Sequence, residues 1–421
     1  MTRVLFLAES FHPTLGGGET HVRRLGAQLV AAGDAATVLT RRADASWPVE
    51  ELLDGIRVLR VPPPGPGRSG KYRMLPAAFR TALQEAPRHD VLVVRGTRVL
   101  GLPGLVAGRM RGTAVVLQPE INGELSGEAF TWGKPWAGGG WGRLVLALVA
   151  LRNRLLRDAD GFVAMSRVIR DEMQQASVPA ERIRLLRHGV DTVRFQPPSQ
   201  EERASLRARL GLPEGILAVY VGRLLRGKGL EVLVEALAAP CVPPQVGLIL
   251  VGSGEGQALD ATEDLKRRVA ERGLGARVVF AGRSERVEDY LRACDVFVFP
   301  SLFEALGIAL VEAAACGLPA IASRTGGIVD VVEDGRSGRL VTPGDSEELA
   351  GALAWLAADE ASRAAMGAAA RAVAVARFDE RDVLEGYRAL FREVSASRAW
   401  PRSAPAPRAD PGPPPSPDAR A

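Results

Sequence analysis

Two glutamates, Glu304 and Glu312, stand with seven residues between them in Phe299-Pro300-Ser301-Leu302-Phe303-Glu304-Ala305-Leu306-Gly307-Ile308-Ala309-Leu310-Val311-Glu312. The apolar run before Pro300 predicts a strand, Glu304 falls in a short loop, and a helix is expected from near Gly307. Eight helical steps of about 100° leave the two positions about 80° apart around the axis and about 12 Å apart along it. One ligand can therefore reach both. Carboxylates at that distance each accept hydrogen bonds from a pair of hydroxyls, and N–H groups at the helix start hold phosphate oxygens. That layout suits a sugar, a diphosphate and a ribose in series. Either glutamate alone would be an ordinary helix-end carboxylate; loop, spacing and glycine together favour a site.

Three glycine-bearing segments accompany this pair. Tyr220-Val221-Gly222-Arg223-Leu224-Leu225-Arg226-Gly227-Lys228-Gly229 places two cations at a strand end in a chain with four lysines and fifty arginines. Arg223 offers a planar fork and Lys228 a point charge, a combination suited to a diphosphate, with a solvated basic turn as the bland alternative. Gly16-Gly17-Gly18-Glu19-Thr20-His21 opens a helix after the first strand and lets backbone approach an anion closely. It matches neither the dinucleotide fingerprint nor a phosphate-binding P-loop. Gly252-Ser253-Gly254 and Thr325-Gly326-Gly327 border the same crevice, and no acidic ribose ligand follows the former, which disfavours a dehydrogenase.

The elements that must position these groups follow a βαβ rhythm. Apolar runs at Val4–Ala8, Thr37–Thr40, Val91–Val94, Ala114–Leu117, Gly161–Ala164 and Ile183–Leu186 make one series. Leu217–Gly222, Gly247–Gly252, Arg277–Gly282, Asp295–Pro300, Pro319–Ser323 and Gly338–Val341 make a second. The fold class is α/β: two Rossmann-like domains of parallel sheet flanked by helices, with ligands in the cleft between them. The expected divisions are 1–196 for the acceptor, 197–376 for the donor, a helix in 377–397 packing back on the first domain, and a disordered Pro-rich tail at 398–421. Gln196-Pro197-Pro198-Ser199 is the expected hinge.

Length and composition, 421 residues with 47% hydrophobic and 24% charged, place the chain among globular proteins. Cys241, Cys294 and Cys316 have no metal-binding spacing and read as free, buried thiols of a reducing compartment. No secretory leader or membrane-spanning run is expected, so a cytoplasmic location follows. Residues 1–196 hold 27 Lys+Arg against 18 Asp+Glu within a chain of net charge +5, which suits an anionic partner for the first half or, equally, an ordinary solvated surface. No basic run with interleaved aromatics appears, which argues against nucleic acid. Trp132, Trp136, Trp141 and the stretch Leu144–Leu155 raise peripheral contact with the inner face of a membrane, against the alternative of a helix packed on the sheet.

Taken in order, Gly16–His21, Gly222-Arg223 with Lys228-Gly229, Gly252-Ser253-Gly254, Glu304 with Glu312, and Gly326-Gly327 closely resemble the retaining glycosyltransferases of family 4, the group 1 type with the GT-B fold. The resemblance covers nearly the whole chain up to the tail. It implies that Arg223 and Lys228 bind the donor diphosphate and stabilise the departing nucleotide. Glu304 would contact donor-sugar hydroxyls and Glu312 the ribose, with Gly307 and Ile308 presenting N–H groups and Gly17 approaching the phosphates. Gly252, Gly254 and Arg283 would complete the donor side, without a cofactor or an obligatory metal. Two departures stand out: the family's sugar-contacting histidine is replaced within Leu117-Gln118-Pro119-Glu120, and an interdomain asparagine by His188. His21, Glu120 and Glu124 remain as candidate contacts from the first domain. The implied activity is transfer from a nucleotide sugar, such as a UDP-sugar or GDP-mannose, to a glycan or lipid-linked acceptor in polysaccharide biosynthesis. A non-catalytic nucleotide-sugar-binding scaffold is the alternative, and an epimerase of similar architecture a more distant one.

Overall fold

A computed structural model describes residues 1–14, 16–65, 69–131, 140–257 and 259–397. Trp132, Trp136 and the tail from 398 lie outside the described residues. The first sheet contains β1 (Arg3–Leu7), β2 (Ala35–Arg41), β3 (Glu50–Leu53), β4 (Ile56–Val61), β5 (Val91–Arg95), β6 (Ala114–Gln118), β7 (Gly161–Ala164) and β8 (Ile183–Leu185). The second contains β9 (Ile216–Val221), β10 (Val246–Val251), β11 (Val278–Gly282), β12 (Val296–Phe299), β13 (Ala320–Ser323) and β14 (Gly338–Val341). Their orders are β3-β4-β2-β1-β5-β6-β7-β8 and β11-β10-β9-β12-β13-β14. Every pairing is parallel except β3 with β4. Strands such as β5, β6, β9 and β10 are almost wholly buried along their length, as expected where helices cover both faces and each strand reads as one apolar run.

The β3–β4 hairpin was not among the expected strands. Its turn is Asp54-Gly55, with φ of 51° and 78°, the two positive values that a type I′ hairpin turn needs. The Asp-Gly pair carried that signal, but the flanking segment Glu50–Leu53 alternates exposed and half-buried residues and lacks the apolar run that marks the other strands. A second difference concerns the thiols: Cys294 and Cys316 are buried, but Cys241 is exposed. It sits in the short connection before Pro243, where the chain turns outside the core.

Both sheets reverse strand order once, the first between β1 and β5 and the second between β9 and β12. Loops leaving adjacent strands in opposite directions there open a crevice at the carboxyl ends, which is where ligands of such sheets bind. The chain passes between the halves a second time near its end. Val190 and Asp379 form a parallel bridge, Val190 N–H donating to the Phe378 carbonyl at 2.7 Å and Glu380 N–H to the Val190 carbonyl at 3.0 Å. The Asp379 side chain accepts from Arg381 N–H at 3.0 Å and so starts the final helix, Glu380–Ala396.

That final helix returns to the first sheet, where Tyr387, Leu390, Phe391 and Val394 join Val4, Phe6, Val22, Leu25, Val91 and Val116 in one apolar cluster. Its burial closes a sheet face that the first-half helices leave open. Truncating the fully buried Phe391 to alanine removes a ring from a packed site, and Phe391→Ala should cost about 3–5 kcal/mol. Urea melts followed by tryptophan fluorescence and by circular dichroism would measure it; a loss below about 1 kcal/mol would mean that the helix contributes little to holding the first domain.

Candidate functional site

The second crevice brings together the loops after β9 and β12, the neighbours at the strand-order reversal. In the β9 loop, the buried Tyr220 hydroxyl donates to the Arg223 carbonyl at 3.1 Å, pinning the backbone while the Arg223 side chain stays exposed. The Leu302 N–H donates to the Gly227 carbonyl at 3.1 Å, which ties the two loops together. Gly229 has φ 67° and lies so close to the Pro300 carbonyl that a Cβ there would collide with it. Only glycine satisfies both demands.

This clamp sets the charge pair at the centre of the site. Lys228 Nζ donates to Glu304 Oε2 at 2.8 Å, and the Ala305 N–H donates to Glu304 Oε1 at 3.2 Å. Both side chains keep some solvent access, 23% and 17% exposed, so a ligand can reach them. The Glu304 backbone is held from the other side by Thr325-Gly326-Gly327. Gly327 N–H donates to the Glu304 carbonyl at 3.2 Å, and a Cβ on Gly326, where φ is 50°, would fall on the same carbonyl oxygen. The glycine pair read from sequence as a crevice border is thus the support of the Glu304 loop.

Gly307 caps the helix Ile308–Ala315, and Glu312 lies one turn into it. The Glu312 carboxylate is 8% exposed and pairs with Arg24 of the first domain, Nη1 to Oε1 being 3.2 Å. Burial pushes this carboxyl above the ordinary range, while the charges of Arg24 and Arg194 pull it back. At the head of the same helix, a Cβ on Gly17 would stand 3.3 Å from Ile308 Cδ1, so the first helix, Gly17–Ala31, meets the Glu304–Glu312 segment along its length. A cavity of about 300 Å³ opens beside this junction, lined among others by His12, Thr20, Arg24 and Arg194. Arg24 was not singled out from sequence. It lies seven residues after Gly17, hence on nearly the same helical face, but nothing local reveals that Glu312 is its partner.

The remaining candidates divide. Arg283 donates to the Glu255 carbonyl at 3.4 Å and stays exposed at the crevice border. Gly252 donates its N–H to the Gly282 carbonyl at 2.7 Å and Gly254 to Thr262 Oγ1 at 3.2 Å. Cβ atoms at these two glycines would strike Gly222 and Leu224 carbonyls. In this structure both glycines let loops approach each other, and both N–H groups are paired within the protein.

In the first domain, Glu124 is 1% exposed and its carboxylate accepts from Thr97 N–H and Oγ1, at 2.6 and 2.8 Å, and from the N–H groups of Glu120 and Ile121. Burial raises its pKa and the Thr97 hydroxyl opposes the rise. It braces a loop and is not open to a donor. His21 is likewise buried, stacked on His188 with ring centroids 4.0 Å apart, and its Nε2 lies 3.2 Å from the Tyr387 hydroxyl. Burial and the adjacent His188 hold it well below the ordinary histidine range. Burial likewise takes His188 down to about 3. The pair is therefore neutral packing between the domains and the final helix. Glu120 alone of the three stays accessible, half-exposed beside the buried Arg95 at 3.2 Å. Among the described residues no group of three or more His, Cys, Asp or Glu side chains is placed to hold a metal ion.

Comparisons with known proteins place the chain by fold and family. The family described as glycosyl transferases group 1 matches residues 202–373, and the glycosyl transferase 4-like domain matches residues 16–189. The chain is 31% identical over 413 residues to a D-inositol 3-phosphate glycosyltransferase of Nocardiopsis dassonvillei, covering 92% of each protein. It is 35% identical over 242 residues, 55% of this chain, to a GDP-mannose-dependent alpha-(1-6)-phosphatidylinositol monomannoside mannosyltransferase of Mycolicibacterium smegmatis. The chain spans 62% of that relative's length, and 57% of a D-inositol 3-phosphate glycosyltransferase of Acidothermus cellulolyticus. The crystal structure of Anabaena HepE in complex with UDP and glucose superposes with a TM-score of 0.75 at 26% identity, covering 93% of this chain and 100% of that one. Matched in both halves and paired with one relative over 92% of its length, the chain belongs to the family 4 glycosyltransferases of the GT-B fold.

Proposed function

We propose that the protein is a retaining hexosyltransferase that moves a sugar from a nucleoside-diphosphate donor to a hydroxyl of a glycan or lipid-linked acceptor. The observation that carries this reading is the Lys228–Glu304 pair at the strand-order reversal, with Glu312 buried on the helix that follows. A diphosphate laid over the start of that helix meets the Ile308 N–H, Lys228 and Arg223. Its sugar then lies against Glu304 and its ribose against Glu312. As the glycosidic bond breaks, negative charge grows on the diphosphate, and the two cations with the helix N–H groups stabilise it. The acceptor hydroxyl attacks from the face the diphosphate leaves, which preserves the anomeric configuration. Side-chain cations supply the compensating charge, so transfer should persist in EDTA.

The relatives named above support a GDP-mannose donor and an inositol-phosphate or phosphatidylinositol-mannoside acceptor, while HepE holds UDP and glucose. A basic first domain suits an acceptor carrying phosphate. The helix Gly140–Leu156 adds an observation about where that acceptor resides. Leu144, Leu148, Leu151 and Leu155 form one exposed stripe, 42–58% accessible, flanked on one side by the exposed Arg143 and Arg154, while Val149, Asn153 and Leu156 face inward. Leucines out and arginines beside them suit a surface bearing anionic lipid. No helix among the described residues is long and apolar enough to cross a membrane.

Three experiments test these readings. Glu304→Ala and Lys228→Ala should each lower turnover by about 10²–10³-fold with little change in melting temperature. A screen of GDP-, UDP- and ADP-sugars should raise the wild-type melting temperature for its own donor, by the equivalent of about 2.7 kcal/mol at a hundredfold excess over Kd. Donor binding without product or free nucleotide across an acceptor panel would instead identify a binding scaffold. Separately, the protein should co-sediment with phosphatidylglycerol vesicles at low salt, and Leu148→Glu with Leu151→Glu should abolish this; equal sedimentation of wild type and variant removes the membrane reading.

A further inference from the structure

Glu312 is set apart from Glu304 by where its partner comes from. Lys228 and Glu304 belong to one domain, but Arg24 and Glu312 are 288 positions apart and lie in different halves of the molecule. The Arg24 side chain is 30% exposed and that of Glu312 8%, so the carboxylate depends on the pair more than the arginine does. Arg24 itself is braced by the Phe195 ring, whose centroid is 6.0 Å from its guanidinium carbon. Phe195 belongs to the crossover between the domains, and Arg194 beside it donates to Glu288 at 2.9 Å and to the Glu285 carbonyl at 3.1 Å.

We propose that Arg24 is a positioning residue for nucleoside-diphosphate recognition, supplied by the acceptor half, that keeps the Glu312 carboxylate ion-paired and oriented toward the ribose and thereby couples donor affinity to contact between the two domains. The inference rests on Glu312 being the ribose-reading group. An ionised carboxylate offers about four acceptor positions on its two oxygens, so one N–H from Arg24 leaves room for both ribose hydroxyls. A protonated carboxyl offers fewer and adds a donor that competes with them. Removing one partner of a buried pair leaves an uncompensated charge, which the site relieves by taking up a proton.

The charges facing Glu312 set the direction of the effect. Arg24 from the first helix and Arg194 from the crossover favour the anion; Glu288 from the helix Val287–Ala293 opposes it, and burial opposes it most. Cys316, one turn further along the same helix, has its thiol pushed up by burial and by Glu312, and stays neutral. Glu380, whose carboxyl is raised by burial, also lies within the field of Arg24. Without Arg24 the balance at Glu312 tips toward the protonated form, more strongly at lower pH. A group whose pKa has risen is restored to its anion when the pH is raised past it.

Calorimetric titration of the full chain with GDP, UDP and ADP at about pH 6 and about pH 8.5 tests this. For the nucleotide that wild type binds, Arg24→Ala should weaken affinity about tenfold at the lower pH and about twofold at the higher, where Glu312 re-ionises. Arg24→Lys should stay within about threefold of wild type at both, because the charge is kept. Melting temperatures identify any variant that has lost its fold. An Arg24→Ala loss equal at both pH values, no loss at all, or a lysine variant no better than alanine would each overturn the proposal. Glu312→Gln separates the two levels of the argument. If it weakens nucleotide binding while Arg24→Ala behaves as wild type, only the role of Arg24 falls. If Glu312→Gln binds normally, or if wild type binds none of the three nucleotides, the ribose reading itself falls.

Discussion

The 2.8 Å contact between Lys228 and Glu304 is possible only because β9 and β12 are neighbours although two strands separate them in sequence. Their loops leave the sheet side by side, and every backbone constraint nearby serves to keep them there. Tyr220 holds the first loop from beneath, the Gly227 carbonyl receives the second, and Gly326-Gly327 closes over Glu304 from a third strand end. A surface lysine–glutamate pair is worth only about 0–1 kcal/mol to stability, and this more enclosed one carries a desolvation cost besides, too little to account for three glycines fixed by close backbone approach. The local architecture is better explained as holding two opposite charges at a set separation in a half-open crevice. A diphosphate and a sugar can then compete for them.

The first domain is organised around a different constraint, the return of the chain. With the final helix packed on its sheet, the polar groups at the ends of β5 and β6 face Tyr387 and the crossover, and they are chosen accordingly. Gln118 Nε2 donates to the Tyr387 hydroxyl at 3.0 Å, His21 meets the same hydroxyl, and His188 lies flat against His21. The buried cation beside them, Arg95, has its partner in Glu120; burial, with that cation nearby, keeps both imidazoles neutral. Gln118, His21, His188 and Tyr387 thus join the first sheet, the crossover and the final helix in one buried polar cluster, apart from the Lys228–Glu304 pair of the second domain.

Much of the fold was legible because parallel strands covered on both faces read as largely apolar runs. The twelve runs of that kind all became strands. Of the hairpin, β3 escaped because an antiparallel edge strand needs only one buried face and Glu50–Leu53 shows a mixed pattern, and β4, parallel to β2 and largely buried, escaped because Arg57 and Arg60 interrupt its apolar run. Glu304, Glu312, Arg223 and Lys228 could be read together because their spacing within one domain follows from local helix geometry and the order of strands. Arg24 could not be read, since its partner is fixed by how two separately folded halves dock. For the same reason Glu124 looked available in sequence, whereas Thr97, Glu120 and Ile121 occupy it in three dimensions.

These two constraints meet at the helix Ile308–Ala315. Its first turn touches the first domain through Gly17 against Ile308, and Glu312 within its body touches it through Arg24. A rotation of one domain that kept the first contact and broke the second would leave a carboxylate buried without its cation. Such a state is disfavoured unless the carboxylate takes up a proton or gains new hydrogen bonds. Ribose hydroxyls are groups that can provide them. Opening of the cleft and occupation of the nucleotide site thus act on the same carboxylate, and the crossover residues Arg194 and Phe195, which touch both sides, lie where that motion must be accommodated.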